Sequence, residues 1–220
     1  MKEILKLTLS LTLICAIAGA ALAFVNQKTA IPRETARLAQ RNAKMKLLLP
    51  PEAPQVQELF SEDGVTFFGA LTAEGEIVAY CAEGSDPNGF GGEIKVLVGL
   101  NLDGGIRGVV VSENSETPGI GSRACNRTER KSLWSIFQKK TDEDGEYLAP
   151  NSYLDSYNGY TLAGPFQFGR APSGTTVNGM VQPVSGATIS STAIRNAVNR
   201  ISAVADQHFH FEIPAPEKEL

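Results

Sequence analysis

The chain has 220 residues and a formal net charge of −4, spread unevenly: residues 1–50 carry +6 and the remainder −10. An acidic main body excludes a nucleic-acid-binding surface, which needs basic groups facing phosphates, and the length suits one ordinary domain plus an anchor. Three cysteines with no Cys-x-x-Cys give neither a disulfide framework nor a thiol redox or iron–sulfur motif within this chain.

Residues 7–25 are 19 consecutive uncharged positions, about 28 Å as a helix and close to the hydrocarbon thickness of a bilayer. Ala21-Leu22-Ala23 resembles a signal cleavage site, but the run exceeds a signal h-region of about 7–15 residues, so residues 1–26 are predicted to be a transmembrane anchor. The basic positions after it (Lys28, Arg33, Arg37, Arg41, Lys44 and Lys46) suit a lipid headgroup surface. Residues 34–49 are rich in Ala, Leu, Lys and Arg and predict a helix stopped by Pro50-Pro51, which makes 27–54 a basic juxtamembrane helix and linker.

Strand-like runs come next, at 65–71, 76–82, 93–101 and 106–112. In the third, Ile94, Val96, Val98 and Leu100 alternate with Lys95, Leu97 and Gly99, as a strand with one well-buried face requires. Asp103-Gly104 signals a hairpin between the last two. Residues 128–140 predict a short helix with Leu133, Trp134 and Phe137 turned inward. Residues 141–180, punctuated by Asp144-Gly145, Asn158-Gly159 and Asn178-Gly179, read as an insertion or elaborated hairpin suited to contacting partner subunits. The tail 213–220 is predicted to be solvated. The fold class is α+β: an antiparallel sheet with packed helices in a domain spanning 55–212, preceded by one N-terminal transmembrane helix. Of the cysteines, Cys15 lies in the apolar run, and spacing leaves open whether Cys81 and Cys125 pair.

Ser185-Gly186-Ala187-Thr188 carries the most information. From Ile189 the apolar positions Ile194, Val198, Ile201 and Ala205 fall at helical spacing, widened by Ala197 and Val204. Thr188 is therefore predicted just ahead of a helix N-terminus, on a turn tightened by Gly186 and kept small by Ala187. Free backbone N–H groups and the helix dipole favour a phosphate there, and a hydroxyl at that point is placed to carry a phosphate ester; the plain alternative is an N-cap.

Ser185-Gly186-Ala187-Thr188-Ile189-Ser190-Ser191 resembles the flavinylation motif of the FMN-binding domain family. Glu116-Thr117-Pro118-Gly119-Ile120-Gly121 resembles the Glu-Thr-Pro-Gly-Leu-Gly loop of the same family, with Ile120 in place of leucine. Ahead of it run Gly89-Phe90-Gly91-Gly92-Glu93-Ile94, a strand, and Asp103-Gly104-Gly105-Ile106, in the family's order. Within that family the overall likeness is to G subunits of Rnf-type ferredoxin:NAD oxidoreductase complexes, with C subunits of Na-translocating NADH:quinone reductases as near relatives.

The resemblance implies FMN held covalently by a phosphoester on Thr188, installed by a flavin transferase. It implies that Ser185, Gly186 and Ala187 shape the turn, that Ser190 or Ser191 caps the helix and meets the phosphate, and that Thr117 and the backbone around Gly119 bond the flavin edge. Glu116 either fixes the loop or touches the flavin. Gln182-Pro183 stands where many members carry an acidic residue. The implied function is an electron-relaying subunit of an ion-translocating oxidoreductase, not catalytic alone, whose partners are other membrane subunits and the bilayer. Lys/Arg counting alone would put the 28–46 flank in the cytoplasm; the resemblance implies a single-pass inner-membrane protein with its flavin domain on the periplasmic side. The alternatives are a flavin electron-transfer protein or regulator outside an ion pump, and a non-redox anchored scaffold in which Thr188 only caps a helix.

Other motifs read as ordinary structure. Gly89-Phe90-Gly91-Gly92 lacks the Lys-Ser/Thr of a P-loop and is read as a bend entering a strand. Asp142-Glu143-Asp144-Gly145 lacks most calcium-loop ligands, and Asn126-Arg127-Thr128 is only a three-residue sequon match. His208 and His210 are read as a solvated or half-buried strand end rather than a metal site. No hydrolase or metalloprotease motif is present, and no catalytic or metal-ligating residue is predicted.

Overall fold

In the computed structural model, which describes residues 2–127, 148–169, 179–209 and 211, the apolar run and the basic segment both lie in helix α1 (Lys2–Lys46). Its large apolar side chains, Leu9, Leu13, Ile17 and Phe24 among them, are exposed, and the helix is long and apolar enough to cross a membrane. It ends at Lys46, earlier than the predicted 49, in the tight bonds Leu48 N–H to Met45 O (3.0 Å) and Leu49 N–H to Lys46 O (3.3 Å). Pro50 disfavours helical backbone in the residue before it. The chain divides into two compact units, Met1–Asn42 and Ala43–Leu220, and the second of them contains the sheet.

Five strands form an antiparallel meander in the order β1 (Gln55–Glu62), β2 (Val65–Leu71), β3 (Ile77–Gly89), β4 (Gly92–Leu100) and β5 (Ile106–Glu113). The α+β expectation holds. Four of the five strands lie where the hydrophobic runs predict them. Strand β1 escapes the pattern because nearly every residue in it is exposed. A local signal does mark it: Asp63 (φ 50°) and Gly64 (φ 75°) form the two-residue, positive-φ turn that joins β1 to β2. Strand β3 runs on past the predicted 82 because Gly84 and Asp86 keep pairing with Val96 and Ile94 of β4.

Strand β4 divides the core by simple alternation. Ile94, Val96, Val98 and Leu100 face one cluster, while Leu97 faces the other. The first cluster is closed by helix α3 (Thr188–His208), whose Ala193, Ile194, Ala197, Val198 and Ile201 are fully buried. Gly84 permits that close packing, since a Cβ there would stand 2.7 Å from Ile201 Cγ1. The second cluster holds Met45, Leu48 and Leu49 against Phe68, Ala79, Leu97 and Val110. Cys81 belongs to this second cluster and Cys125 to the first; buried on opposite faces of the sheet, they form no disulfide with each other.

Between the sheet and α3 the chain makes helix α2 (Ser122–Cys125), a 3-10 turn at Leu154–Tyr157, and two short strands, β6 (Gln167–Phe168) and β7 (Met180–Val181), paired in parallel. The described part of the 141–180 stretch sends several of its large side chains into the core. Tyr153, Leu154, Tyr157, Leu162 and Phe166 are core residues, and Tyr153 OH donates to Ser191 O at 2.6 Å. The exposed edge of β5 is occupied as well: Arg127 donates to Val109 O through Nε (3.2 Å) and Nη2 (2.9 Å), and Lys44 Nζ donates to Val111 O (3.1 Å) and Ser112 O (3.0 Å). Burial pulls the Lys44 ammonium below the ordinary lysine range, partly offset by Glu113. His208 is the last residue of α3, not part of a strand, and its ring pairs with Glu62 Oε2 at 2.7 Å. The predicted helix at 128–140 with Trp134, the 142–145 turn, His210 and the tail 213–220 lie outside the described residues.

Candidate functional site

Thr188 is the first residue of α3 rather than the residue before it. The turn that delivers it is closed by Ala187 N–H to Val184 O (2.9 Å), and Gly186 takes φ 80° at its third position. That left-handed backbone is what a type II turn demands and what glycine supplies without strain. The first intrahelical bond is Ser191 N–H to Ala187 O, and no side chain caps the helix. The amides of Thr188, Ile189 and Ser190 therefore have no acceptor among the described residues. Thr188 is exposed, and its hydroxyl likewise has no hydrogen-bond partner there.

The two serines expected to cap the helix point inward. Ser191 is fully buried and its Oγ accepts from Val184 N–H at 3.1 Å, which pins the turn at 184–187 to the helix it precedes. Ser190, also buried, donates to Glu116 Oε2 at 2.8 Å. Neither hydroxyl is left to cap the helix; the first-turn amides stay open instead.

Beside Thr188 opens a largely apolar cavity of about 320 Å³, within the size range of small-molecule sites. Phe90, Ile120, Gly121, Gly186, Ala187, Thr188, Ile189 and Ser190 line it. Three of these, Phe90, Ile120 and Ile189, are large apolar side chains that are more than half exposed at its rim. They come from three separate segments: the β3–β4 hairpin turn, the loop after β5, and the first turn of α3. The sequence alone places Phe90 in a bend and marks Ile120 only as a packing change. An exposed aromatic inside a glycine turn was the available signal. The bend itself is as expected, with Gly89 opposite Gly92 across the hairpin.

Of the residues named from sequence, Gly186, Ala187, Thr188 and Ser190 line this cavity. Ser185 instead opens onto a neighbouring groove with Arg123, Tyr160 and Gln182. Thr117 and Gly119 form a turn of their own outside the cavity lining. Pro118 and Gly119 (φ 83°) occupy its centre, Ile120 N–H and Ser122 N–H both reach Thr117 O at 3.3 Å, and Gly119 N–H reaches Ser122 Oγ at 2.8 Å. This turn presents Ile120 to the cavity.

Glu116 sits behind the cavity, not in it. It is 7% exposed; Oε1 accepts from Gly91 N–H at 3.1 Å and Oε2 from the Ser190 hydroxyl. Glycines make room for it. A Cβ on Gly121 would fall 2.0 Å from Oε2, and one on Gly89 would fall 2.8 Å from Oε1. The carboxylate thus ties together all three segments that supply the cavity. It also acts on Cys125, whose thiol is pushed up to about 12, first by burial and then by the Glu116 charge. Chemically, the arrangement suits a flat apolar ring system carrying an anionic group, with the anion at open amides beside an exposed hydroxyl.

The family model described as "FMN-binding domain" matches residues 89–203. The chain is 27% identical over 215 residues to the G subunit of the Na(+)-translocating ferredoxin:NAD(+) oxidoreductase complex of Acetobacterium woodii, covering 90% of this chain and 89% of that one. It is 30% identical over 112 residues to the G subunit of the ion-translocating oxidoreductase complex of Shewanella oneidensis, covering 48% of this chain and 51% of that one. Among solved structures, the crystal structure of Shewanella oneidensis NqrC is similar with a TM-score of 0.44 at 20% identity, over 74% of this chain and 70% of that one. The family match covers just over half of the chain and runs from the glycine hairpin through the Glu116 loop to the turn before Thr188 and most of α3; the chain belongs to the FMN-binding domain family.

Proposed function

We propose that this chain is a membrane-anchored flavoprotein subunit of an Rnf-type ion-translocating ferredoxin:NAD oxidoreductase complex, carrying FMN through a phosphoester on Thr188. The residues present fit that group. Three open amides at the start of α3 suit its phosphate, and the cavity rimmed by Phe90, Ile120 and Ile189 suits its ring. When bound, FMN supplies one- and two-electron redox chemistry.

The chain's own residues do the rest. Gly186 and the Ser191–Val184 bond hold the acceptor hydroxyl outward, where a flavin transferase can reach it. Covalent attachment fixes the ring at a set distance from redox centres in neighbouring subunits. Helix α1 anchors the domain spanning 55–212, in this reading on the extracytoplasmic side. The named roles of the Acetobacterium and Shewanella relatives support membership in an ion-translocating oxidoreductase complex.

One observation carries the reading: an exposed Thr188 hydroxyl without a partner among the described residues, flanked by unfilled helix amides and an apolar cavity. The test is in-gel flavin fluorescence after denaturation, comparing the full chain with Thr188→Ala, both coexpressed with a flavin transferase. A fluorescent band that disappears in the variant is expected. A dark wild-type band, beside a control protein flavinylated by the same transferase, would return Thr188 to being merely the first residue of a helix.

A further inference from the structure

We propose that Glu116 sets the flavin's reduction potential: its buried charge, held directly behind the cavity wall, disfavours reduction of the ring that the cavity takes. The inference rests on the proposed function and assigns Glu116 a positioning and electrostatic role rather than contact with the cofactor. Gly121 and Ser190 both line the cavity, and both touch the carboxylate from behind. The built Cβ of Gly121 would stand 2.0 Å from Oε2 and 2.9 Å from Cδ, so a single layer of atoms separates charge and cavity.

That charge has no counter-ion among the described residues. Among the described residues Glu116 joins no ion pair, and its two recorded donors, the Gly91 amide and the Ser190 hydroxyl, are neutral. A buried charge is costly unless compensated. A glutamine could satisfy the same two partners, its carbonyl accepting from Gly91 and its amide donating to Ser190 Oγ. What the carboxylate adds is the charge itself, and its field already opposes a second negative charge nearby, at the Cys125 thiol.

The same opposition applies across the cavity wall. Reduction by two electrons and one proton adds one negative charge to the bound ring, and in a poorly solvated cavity that charge meets the carboxylate with little screening. The potential is held low in consequence, as expected of a charge placed near a flavin.

The experiment is a redox titration of the full chain in detergent micelles, flavinylated by coexpression. Dithionite supplies the electrons and water the proton, and flavin absorbance reports the ratio of reduced to oxidised flavin. Glu116→Gln is expected to raise that ratio about tenfold at a given potential, an upward shift of about 30 mV for a two-electron couple. Ser190→Ala keeps the charge but removes a donor that shares it, so the ratio should fall about threefold, close to 15 mV downward. Mere loosening of the wall would move both variants the same way. A Glu116→Gln potential at or below that of the wild type overturns the inference, and so does a Ser190→Ala potential that stays or rises. If Glu116→Gln does not fold, Ser190→Ala alone decides. Absence of flavin from the wild type overturns the proposed function and this inference together; flavinylated proteins with equal potentials overturn only this one.

Discussion

Replacing Gly121 by alanine tests whether the Glu116 clamp holds the site together. Gly121 has φ −62° and ψ −34°, so alanine suits its backbone and any cost must come from the added methyl. That methyl would stand 2.0 Å from Glu116 Oε2 and 2.8 Å from Ser190 Oγ. The carboxylate has to leave, and with it go the bonds from Gly91 and Ser190. Hydrogen bonds to a charged acceptor contribute about 1.5–3 kcal/mol each, so after partial rehydration of the displaced group the loss is about 3–5 kcal/mol. Gly119→Ala is the control. Among the described residues no atom beyond its chain neighbours lies within 4 Å of a Cβ there, and its cost is only the left-handed backbone at φ 83°, about 1–2 kcal/mol. At about 2–4 °C per kcal/mol for a domain of this size, thermal unfolding by circular dichroism in detergent should show Gly121→Ala melting about 6–20 °C below wild type. Gly119→Ala should lose less than half as much. If Gly121→Ala melts no lower than Gly119→Ala, the clamp does not hold the three segments together.

Two further outcomes rest on buried polar groups elsewhere. Arg127, with 9% of its side chain exposed, binds Val109 O, Ala149 O (2.9 Å) and Asp155 Oδ1 (2.6 Å). Arg127→Ala should therefore destabilise by about 3–5 kcal/mol, and Arg127→Lys should recover only part of that, because an ammonium cannot reproduce the fork; a lysine variant as stable as wild type in urea titration would contradict this. Cys125, with its thiol raised to about 12, should have only about one part in 10⁴ as thiolate at pH 8 and stay unalkylated by iodoacetamide until urea is added. Because the folded value lies above the unfolded one, the stability associated with the neutral thiol is complete below about pH 9 and is lost as pH rises toward 12. Cys125→Ala should flatten that alkaline decline, and mass mapping together with melting curves at pH 8 to 11 checks both statements.

What could be read from the sequence tracked burial. Strand β4 and helix α3 announce themselves because their apolar residues repeat at periods of about 2 and 3.6, and each packs against a filled core. Strand β1 is a strand by pairing alone; with almost no buried residue it has no hydrophobic period, and only Asp63-Gly64 marks its turn. The stretch around Tyr153 fails for the opposite reason. Its aromatic residues are buried, yet they enter the core from a 3-10 turn and irregular backbone, which impose no repeat. Polarity in the sequence suggested a surface there; the tyrosine hydroxyls are satisfied internally instead, Tyr153 OH by Ser191 O and by Tyr157 OH.

The turn before Thr188 was legible because everything it needs is local: a glycine for the positive φ, small neighbours, and a helix immediately after. Glu116 was not, because its partners are remote. It meets Gly91 across 25 positions and Ser190 across 74, and no linear pattern can say whether a carboxylate beside Thr-Pro-Gly turns toward solvent, ligand or protein. The glycines resolve the question only in three dimensions. Gly89 and Gly121 read as loop residues in sequence, but their missing side chains are the space in which the carboxylate is buried. Ser190 shows the same dependence. At the third position of a helix it reads as a cap, yet its hydroxyl is drawn inward by a charge from another loop, and the amides it would have shielded stay open beside Thr188. One buried carboxylate thus both assembles the cavity and leaves the helix end available to an anion.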